Sequence, residues 1–167
     1  MVGFGSMSRT LIFIRHAHRD TSDPSRDNGL SEKGREQVEE LVRHFKSFCE
    51  REHEDAKIRF LCSPKKRCIQ TLEPIAAALE MKWDIDPRLT EVSPMESEAL
   101  VRERLDAFLQ DWKEKSSEVT LVCSHGDVIP LCVQRLTGAR IGIKKAGIAQ
   151  IEGVAGDYFL TALIQKV

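Results

Sequence analysis

The sequence has no long apolar run. The longest apolar stretch near its N-terminus, residues 11–14, is far shorter than the core of a signal peptide. No segment approaches the roughly 18 apolar residues of a membrane-spanning helix. The sequence also lacks an excess of charge of either sign, because its 25 Lys and Arg nearly cancel its 26 Asp and Glu. We therefore expect a soluble, unexported protein with neither a membrane nor a nucleic-acid partner.

The sequence also lacks the cysteine pattern of a disulfide-bonded or zinc-binding protein. The five cysteines are odd in number and include no C-x-x-C spacing, which argues against a disulfide framework and against a zinc ribbon. The reducing cytosol fits this pattern, so we expect a cytoplasmic location. Cys62 and Cys123 directly precede two polar motifs. They are interpreted either as small buried core residues or as thiols that make the site sensitive to oxidation.

Short apolar runs alternate with segments of helical periodicity. Strands are predicted over residues 10–14, 58–62, 83–86 and 119–123. Helices are predicted to start at Ser31, Ser63, Ser97 and Asp127, each of which is a favourable N-cap. The sequence favours a three-layer α/β/α sandwich in which a mostly parallel central sheet has helices on both faces.

The ends of the chain complete this prediction. Residues 146–152 and 158–164 flank a turn segment and predict a C-terminal hairpin at the end of the sheet. Residues 9–167 suit a single domain, because 41% hydrophobic residues are enough for one core. Residues 1–8 show no periodicity and are predicted to be a flexible tail.

Polar side chains follow three of the predicted strands. Arg15 and His16 come after the first strand, and Arg67 lies in the first turn of the helix after the second. His125 follows the strand at residues 119–123. Because the carboxyl ends of parallel strands meet at one edge of a sheet, we expect these side chains to converge there.

The converging residues suit the chemistry of phosphoryl transfer. A phosphoryl group in transfer spreads negative charge over three oxygens, so its site needs several fixed cations and a nucleophile in line with the leaving group. Arg15, Arg67 and His125 can supply the charge. Neutral His16 can attack phosphorus through one ring nitrogen while the other donates to a backbone carbonyl.

A metal site is the competing interpretation. His16, His18 and Asp20 match the start of an H-x-H-x-D pattern. No further His, Asp or Cys cluster completes a two-metal set, and the cations Arg15 and Arg19 would oppose a divalent ion. The sequence therefore favours chemistry without a metal ion or a cofactor.

Three ordered motifs resemble those of the histidine phosphatase superfamily, also called the phosphoglycerate mutase-like family. Arg-His-Ala follows the first strand at residues 15–17, Ser-Pro-x-x-Arg-x-x-x-Thr occupies residues 63–71, and Ser-His-Gly occupies residues 124–126. Residues 30–34 also resemble the family's step from loop to helix. The resemblance spans about residues 10–138. It implies that His16 becomes phosphorylated.

The resemblance also implies the other roles in the site. Arg15, Arg67 and His125 would form the phosphate pocket. Many members carry a glutamate in an Arg-x-x-Glu context after the third strand, and residues 88–91 match it. Glu91 would then act as general acid and later as general base, with Glu96 and Glu98 as alternatives.

One position departs from the family pattern. Mutase-like members often place an asparagine six residues after the nucleophile, where this chain has Ser22. The resemblance leaves open which nearby residue binds substrate in its place. The candidates are Ser22, Ser25, Arg19 and Arg26.

The connection over residues 86–97 is short, and no long insertion elsewhere would form a lid over a small metabolite. With its overall length, this makes the chain most similar to the SixA-type protein-histidine phosphatases. The resemblance implies a metal-independent phosphohydrolase whose partner is a phosphohistidine-bearing signalling domain. The alternatives are a small-molecule phosphomonoesterase of the same family and a phospho-ligand binding module without turnover.

Overall fold

Six strands form one sheet. The computed structural model describes residues 8–52, 56–115 and 118–167. The strands are β1 (Arg9–Arg15), β2 (Ile58–Cys62), β3 (Trp83–Ile85), β4 (Val119–Ser124), β5 (Ile148–Val154) and β6 (Asp157–Ile164). Their order is β3-β2-β4-β1-β5-β6. The first four are parallel, whereas β5 runs antiparallel to β1 and β6 antiparallel to β5. The mostly parallel sheet and the C-terminal hairpin are confirmed.

Helices connect the strands, as parallel pairing requires. They are α1 (Glu32–Glu52), α2 (Lys66–Ala78), α3 (Glu98–Glu114) and α4 (Val128–Thr137). A short 3₁₀ turn (Pro87–Leu89) follows β3. None of the described helices is long and apolar enough to cross a membrane.

The side chains of β1 alternate between two apolar layers, as the period of a strand dictates. Ile12 and Ile14 pack in a cluster with α1 and α2. Leu11 and Phe13 pack in a second cluster with α3 and α4. Helices therefore cover both faces of the sheet, and the predicted three-layer α/β/α sandwich is confirmed.

Two of the four predicted N-caps are confirmed. The Ser31 hydroxyl accepts from the Gly34 amide at 3.1 Å, and the Ser97 hydroxyl accepts from the Leu100 amide at 3.3 Å. These hydroxyls satisfy amides at helix N-termini that otherwise lack partners.

The other two N-cap predictions are wrong. Helix α2 begins only at Lys66, and the Ser63 hydroxyl contacts His125. Asp127 precedes α4 without capping it, because its carboxylate accepts from the Val92 amide at 2.8 Å. The Ser63 hydroxyl also accepts from the Lys65 amide at 3.4 Å, but Lys65 itself precedes α2. Both side chains thus have partners from distant parts of the chain and none within the helix beside them.

The predicted tail at residues 1–8 lies outside the described residues, apart from Ser8. The single domain over residues 9–167 stays a prediction. The carboxyl ends of β1 and β4 are in register, with Arg15 opposite Ser124. The residues that follow these two strands therefore emerge side by side at one edge of the sheet.

Candidate active site

A cavity of about 380 Å³ opens at this edge of the sheet. Its lining residues are Arg15, His16, Arg19, Arg67, Glu91, His125, Gly126, Asp127 and Lys145. Four of them are cations and two are carboxylates, so the cavity has an excess of positive charge. The polar groups that the sequence predicts at three strand ends are thus brought together around one space.

Hydrogen bonds hold His16 in one tautomer. Its Nδ1 lies 2.8 Å from the carbonyl oxygen of Ala17, which can only accept, so Nδ1 carries the proton. Its Nε2 has the lone pair and accepts from Arg67 Nε at 3.3 Å. Burial, together with the charges of Arg67 and Arg15, lowers the pKa of His16 to about 4, although the Ala17 bond opposes this shift. The ring is therefore neutral at pH 7 and keeps an unprotonated nitrogen.

His125 lies beside His16, with the ring centroids 5.4 Å apart. Its Nδ1 lies 3.3 Å from Arg67 Nη2, which can only donate, so Nδ1 accepts. Its Nε2 carries the proton and donates to the Ser63 hydroxyl at 2.7 Å. Burial, with a contribution from the charge of Arg67, lowers the pKa of His125 to about 2. This second ring is also neutral at pH 7, so the prediction that His125 supplies positive charge is wrong for the site without a bound anion.

Arg67 connects the two rings to the carboxylates. Its side chain is only 3% exposed, and it forms ion pairs with Asp27, at 3.4 Å, and with Glu91. A guanidinium presents its donors in a fixed plane that matches phosphoryl oxygens. Arg67 can therefore bind a phosphoryl group while Asp27 still balances its charge.

Arg15 lines the cavity next to the backbone that follows β4. Its Nη1 donates to the Ile143 carbonyl at 2.7 Å, whereas its buried Nε has no hydrogen-bond partner among the described residues. A Cβ atom at Gly126 would lie 2.6 Å from Arg15 Cζ, so any larger residue there would displace the guanidinium. An unpaired buried N–H is costly, and a bound anion would relieve that cost.

Two anchors fix the backbone on either side of Glu91. The Ser124 hydroxyl donates to the Leu89 carbonyl at 2.7 Å, and the Val92 amide donates to Asp127 at 2.8 Å. Both partners belong to the segment around His125. Glu91 is thereby positioned in the cavity, where it pairs with Arg67 and, at 3.2 Å, with Lys65.

Two predicted alternatives to Glu91 lie elsewhere. Glu96 forms an ion pair with Arg104 at 2.6 Å, which holds the pKa of Glu96 below its usual value. Glu98 pairs with Arg102 one turn along α3 and has a side chain that is 91% exposed. Neither lines the cavity.

Among the residues considered for the substrate-binding position, the structure brings only Arg19 to the cavity. Ser22 is exposed, and its amide donates to Asp20 at 2.8 Å. Ser25 and Arg26 are exposed as well and contact Asp23 within the same loop. The loop folds on itself at these positions.

Sequence reasoning missed several residues of the site. Asp27 reaches Arg67 from the loop, and Lys145 reaches the cavity from the segment before β5. Thr71 joins the loop after His16 to α2: its hydroxyl accepts from the Ala17 amide at 3.0 Å and donates to the Arg67 carbonyl at 2.7 Å. Thr71 lies in the second motif, which was the available signal. Asp27 and Lys145 had no such signal.

Cys62, Cys123 and His18 lie apart from the open cavity. Cys62 and Cys123 are fully buried side by side on β2 and β4. Burial raises the pKa of the Cys123 thiol, which favours the core interpretation over a reactive thiol. His18 Nδ1 contacts the Ser31 hydroxyl at 2.8 Å. In the described ranges, no group of three or more His, Cys, Asp or Glu side chains is arranged to hold a metal ion.

Comparison with known proteins gives one family. A sequence model of the histidine phosphatase superfamily (branch 1) matches residues 11–98, just over half of the chain. Three solved structures share the fold at low sequence identity. A mycobacterial glucosyl-3-phosphoglycerate phosphatase is 18% identical, with 96% of this chain and 100% of that chain covered and a TM-score of 0.75. The protein histidine phosphatase SixA complexed with tungstate is 21% identical, with 93% of this chain and 96% of that chain covered and a TM-score of 0.73. A phosphoglycerate mutase from Bacillus anthracis is 18% identical, with 94% of this chain and 93% of that chain covered and a TM-score of 0.77.

Proposed function

Because this chain belongs to the histidine phosphatase superfamily, we propose that it is a phosphohydrolase that works through a phosphohistidine intermediate on His16. One observation carries this proposal. The unprotonated Nε2 of His16 faces the guanidinium of Arg67 at 3.3 Å, in a cavity that is lined by four cations. A nucleophile beside fixed positive charge is what phosphoryl transfer requires.

In the first step, Arg15 and Arg67 bind the phosphoryl oxygens. His16 Nε2 forms a bond to phosphorus while the bond from phosphorus to the leaving atom breaks. Glu91 takes up a proton once the phosphoryl group has replaced it on Arg67, and it donates this proton to that atom. The ring of His16 gains positive charge, and the Ala17 carbonyl, 2.8 Å from Nδ1, stabilises it.

In the second step, water replaces the leaving group. Its oxygen bonds to phosphorus as the bond from phosphorus to Nε2 breaks, and Glu91 takes the proton that the water loses. Inorganic phosphate leaves, and His16 returns to its neutral form with the proton still on Nδ1. Glu91 therefore ends the second step protonated, as it began the first.

We infer phosphohistidine on a signalling protein as the substrate. The 3₁₀ turn ends at Leu89 and α3 begins at Glu98, so the connection past Glu91 is too short for a lid over the cavity. An open site suits a phosphoryl group that projects from a protein surface. A small-molecule phosphomonoester is the second candidate, and it is favoured by the position of Glu91, because alkoxide leaving groups need an acid.

Trapping the intermediate tests the proposal. The wild type is mixed with radiolabelled phosphohistidine protein or aryl phosphate and then denatured rapidly. We expect label on the protein that is stable in alkali and lost in acid. His16→Ala should carry no label, and His44→Ala, on α1, should match the wild type. Absence of label with every substrate would contradict turnover and favour a binding module.

The role of Glu91 distinguishes the two substrate classes. Glu91→Gln should reduce kcat/KM for alkyl phosphates by about 10²-fold, the usual contribution of general acid catalysis. For phosphohistidine the loss should be smaller, because imidazole is the better leaving group. Glu98→Gln is the matched control and should not change either rate. An equal loss on both substrates would count against this role of Glu91.

A further inference from the structure

A second cavity, of about 620 Å³, lies directly beside the first. Arg15 and Lys145 line both, so the two spaces adjoin each other. We call the second one the lysine cavity, because Lys33, Lys144, Lys145 and Lys166 line it. These lysines come from the first turn of α1, from the segment before β5 and from the residues after β6.

The lysine cavity carries unbalanced positive charge. Together with Arg15, its four lysines face two carboxylates, Glu36 and Glu40. Within the part of the chain that the structure describes, none of the four lysines forms an ion pair. Like charges held this close repel one another unless an anion lies between them.

The same repulsion acts on Lys145. Burial lowers the pKa of Lys145, and the positive charges of Arg15, Arg19 and Lys33 lower it in the same direction. The two cavities thus share one electrostatic environment, in which an anion in either stabilises the cations around it.

Hydrogen bonds fix the walls of the lysine cavity. The His18 amide donates to Gln37 at 2.8 Å, which joins the nucleophile's loop to α1. The Lys144 amide donates to Gln165 at 2.7 Å, and Gln165 donates to the Gly142 carbonyl at 2.7 Å. The C-terminal residues are therefore tied to the segment that carries Lys144 and Lys145. A cavity with fixed walls loses less entropy when it binds a ligand.

We propose that the lysine cavity binds a second anionic group, a phosphate or a carboxylate, on the same substrate molecule whose phosphoryl group reaches His16. This inference rests on the proposed function and specifies the substrate class: molecules with two anionic groups. The shared residues Arg15 and Lys145 support it, because they place the two cavities side by side, within reach of one substrate molecule.

The test uses lysines that line only the second cavity. Lys33 and Lys166 are exposed and do not line the cavity of His16. The double variant Lys33→Gln/Lys166→Gln removes two cations from the lysine cavity. Lys46→Gln is the control, since Lys46 is exposed on α1 and lines neither cavity.

Binding is measured by calorimetry with alkane bisphosphonates of increasing chain length and with alkyl monophosphonates, which are not hydrolysed. At one chain length the wild type should bind the bisphosphonate at least about tenfold more tightly. In the double variant this preference should fall about fivefold to tenfold, the size expected for two screened surface charges. Monophosphonate affinity should not change. A wild type without preference, or a preference that survives in the double variant, would overturn the proposal.

Turnover separates this proposal from the proposed function. If bisphosphates and monophosphates are hydrolysed equally well, the second anion site is wrong and the phosphohydrolase stands. If bisphosphonates bind selectively and no phosphate ester or phosphohistidine is turned over, the anion site stands and the phosphohydrolase is wrong.

Phosphohistidine peptides distinguish the two sources of the second anion. One peptide carries glutamates beside the phosphohistidine, and its control carries glutamines. A preference for the glutamate peptide that Lys33→Gln/Lys166→Gln removes assigns the cavity to carboxylates of a protein substrate. A preference for bisphosphonates alone assigns it to a second phosphate on a small molecule.

Discussion

Two kinds of buried surface meet on β1 and β4. In the middle of these strands, Phe13 and Val122 are fully buried among apolar side chains. At their carboxyl ends, His16 and His125 are 5% and 2% exposed and are surrounded by polar partners. The apolar part stabilises the fold through the surface it removes from water. At the polar end, burial instead lowers the pKa of both histidines, which keeps them neutral beside two arginines.

The largest loss of activity is expected for a substitution at Arg67, in the polar region. Arg67→Lys keeps the charge but loses the planar set of donors that contacts His16, His125 and Glu91. Since losing one transition-state donor already costs about 10²–10³-fold in kcat, we expect kcat to fall by at least about 10³-fold. Steady-state kinetics on an aryl phosphate measures this. Arg135→Lys, on α4, is the matched control, and a drop below about tenfold for Arg67→Lys would show that charge alone suffices.

The apolar region should show the reverse pattern. Phe108 on α3 is buried in the second apolar cluster, and Phe108→Ala leaves a cavity that should lower the free energy of unfolding by about 3–4 kcal/mol. Urea unfolding measures this value. The kcat per folded molecule should stay within about twofold of the wild type. Phe159 is 54% exposed, so Phe159→Ala should cost less than about 1 kcal/mol. Lost activity in folded Phe108→Ala would mean that the two regions are not separable.

The pKa of His16 couples its site to stability. This pKa is about 4 in the folded protein against the ordinary 6.5, so the unfolded chain binds more protons between these values. Stability should therefore fall as the pH decreases from about 6.5 to about 4, and this contribution should level off below that. The full difference corresponds to about 3 kcal/mol.

His16→Gln isolates this contribution from those of His125 and of the carboxylates, which act over the same pH range. Urea unfolding at about pH 7 and about pH 4 should show a smaller loss for His16→Gln than for the wild type, by about 2–3 kcal/mol. Ser47→Ala, on α1, changes no titrating group, so it serves as the control and should follow the wild type. Parallel losses in all three proteins would mean that His16 is not buried in its neutral form.

Much of the site can be predicted from the sequence, because the order and direction of the strands determine where the site residues lie. Periodicity locates the strands, and parallel strands deliver their following residues to one edge, so Arg15, His16, Arg67 and His125 are found from pattern alone. Asp27 and Lys145 are different. Each lies in an irregular segment whose path is set by distant hydrogen bonds, and no local pattern encodes that path.

The two wrong caps show the same limit in another way. Ser63 and Asp127 have the residue types and positions typical of N-caps. A local sequence pattern contains no information about a partner from elsewhere in the chain that competes for the same side chain. In the fold, His125 binds the Ser63 hydroxyl and the Val92 amide binds the Asp127 carboxylate. Local propensity was overridden at the functional edge, where other requirements act on the same side chains.

Ser63 offers the finest test of the polar region. Ser63→Ala removes the acceptor of His125 Nε2, which is left with a weak contact to Cys68 Sγ at 3.5 Å. An unsatisfied buried donor costs about 1–3 kcal/mol, so we expect kcat to fall about tenfold as His125 loses its fixed tautomer. Ser63→Thr should restore most of the rate, and Ser47→Ala, on α1, is the control. If Ser63→Ala lowers stability but leaves kcat and its pH profile unchanged, Ser63 belongs with the structural core rather than with the site.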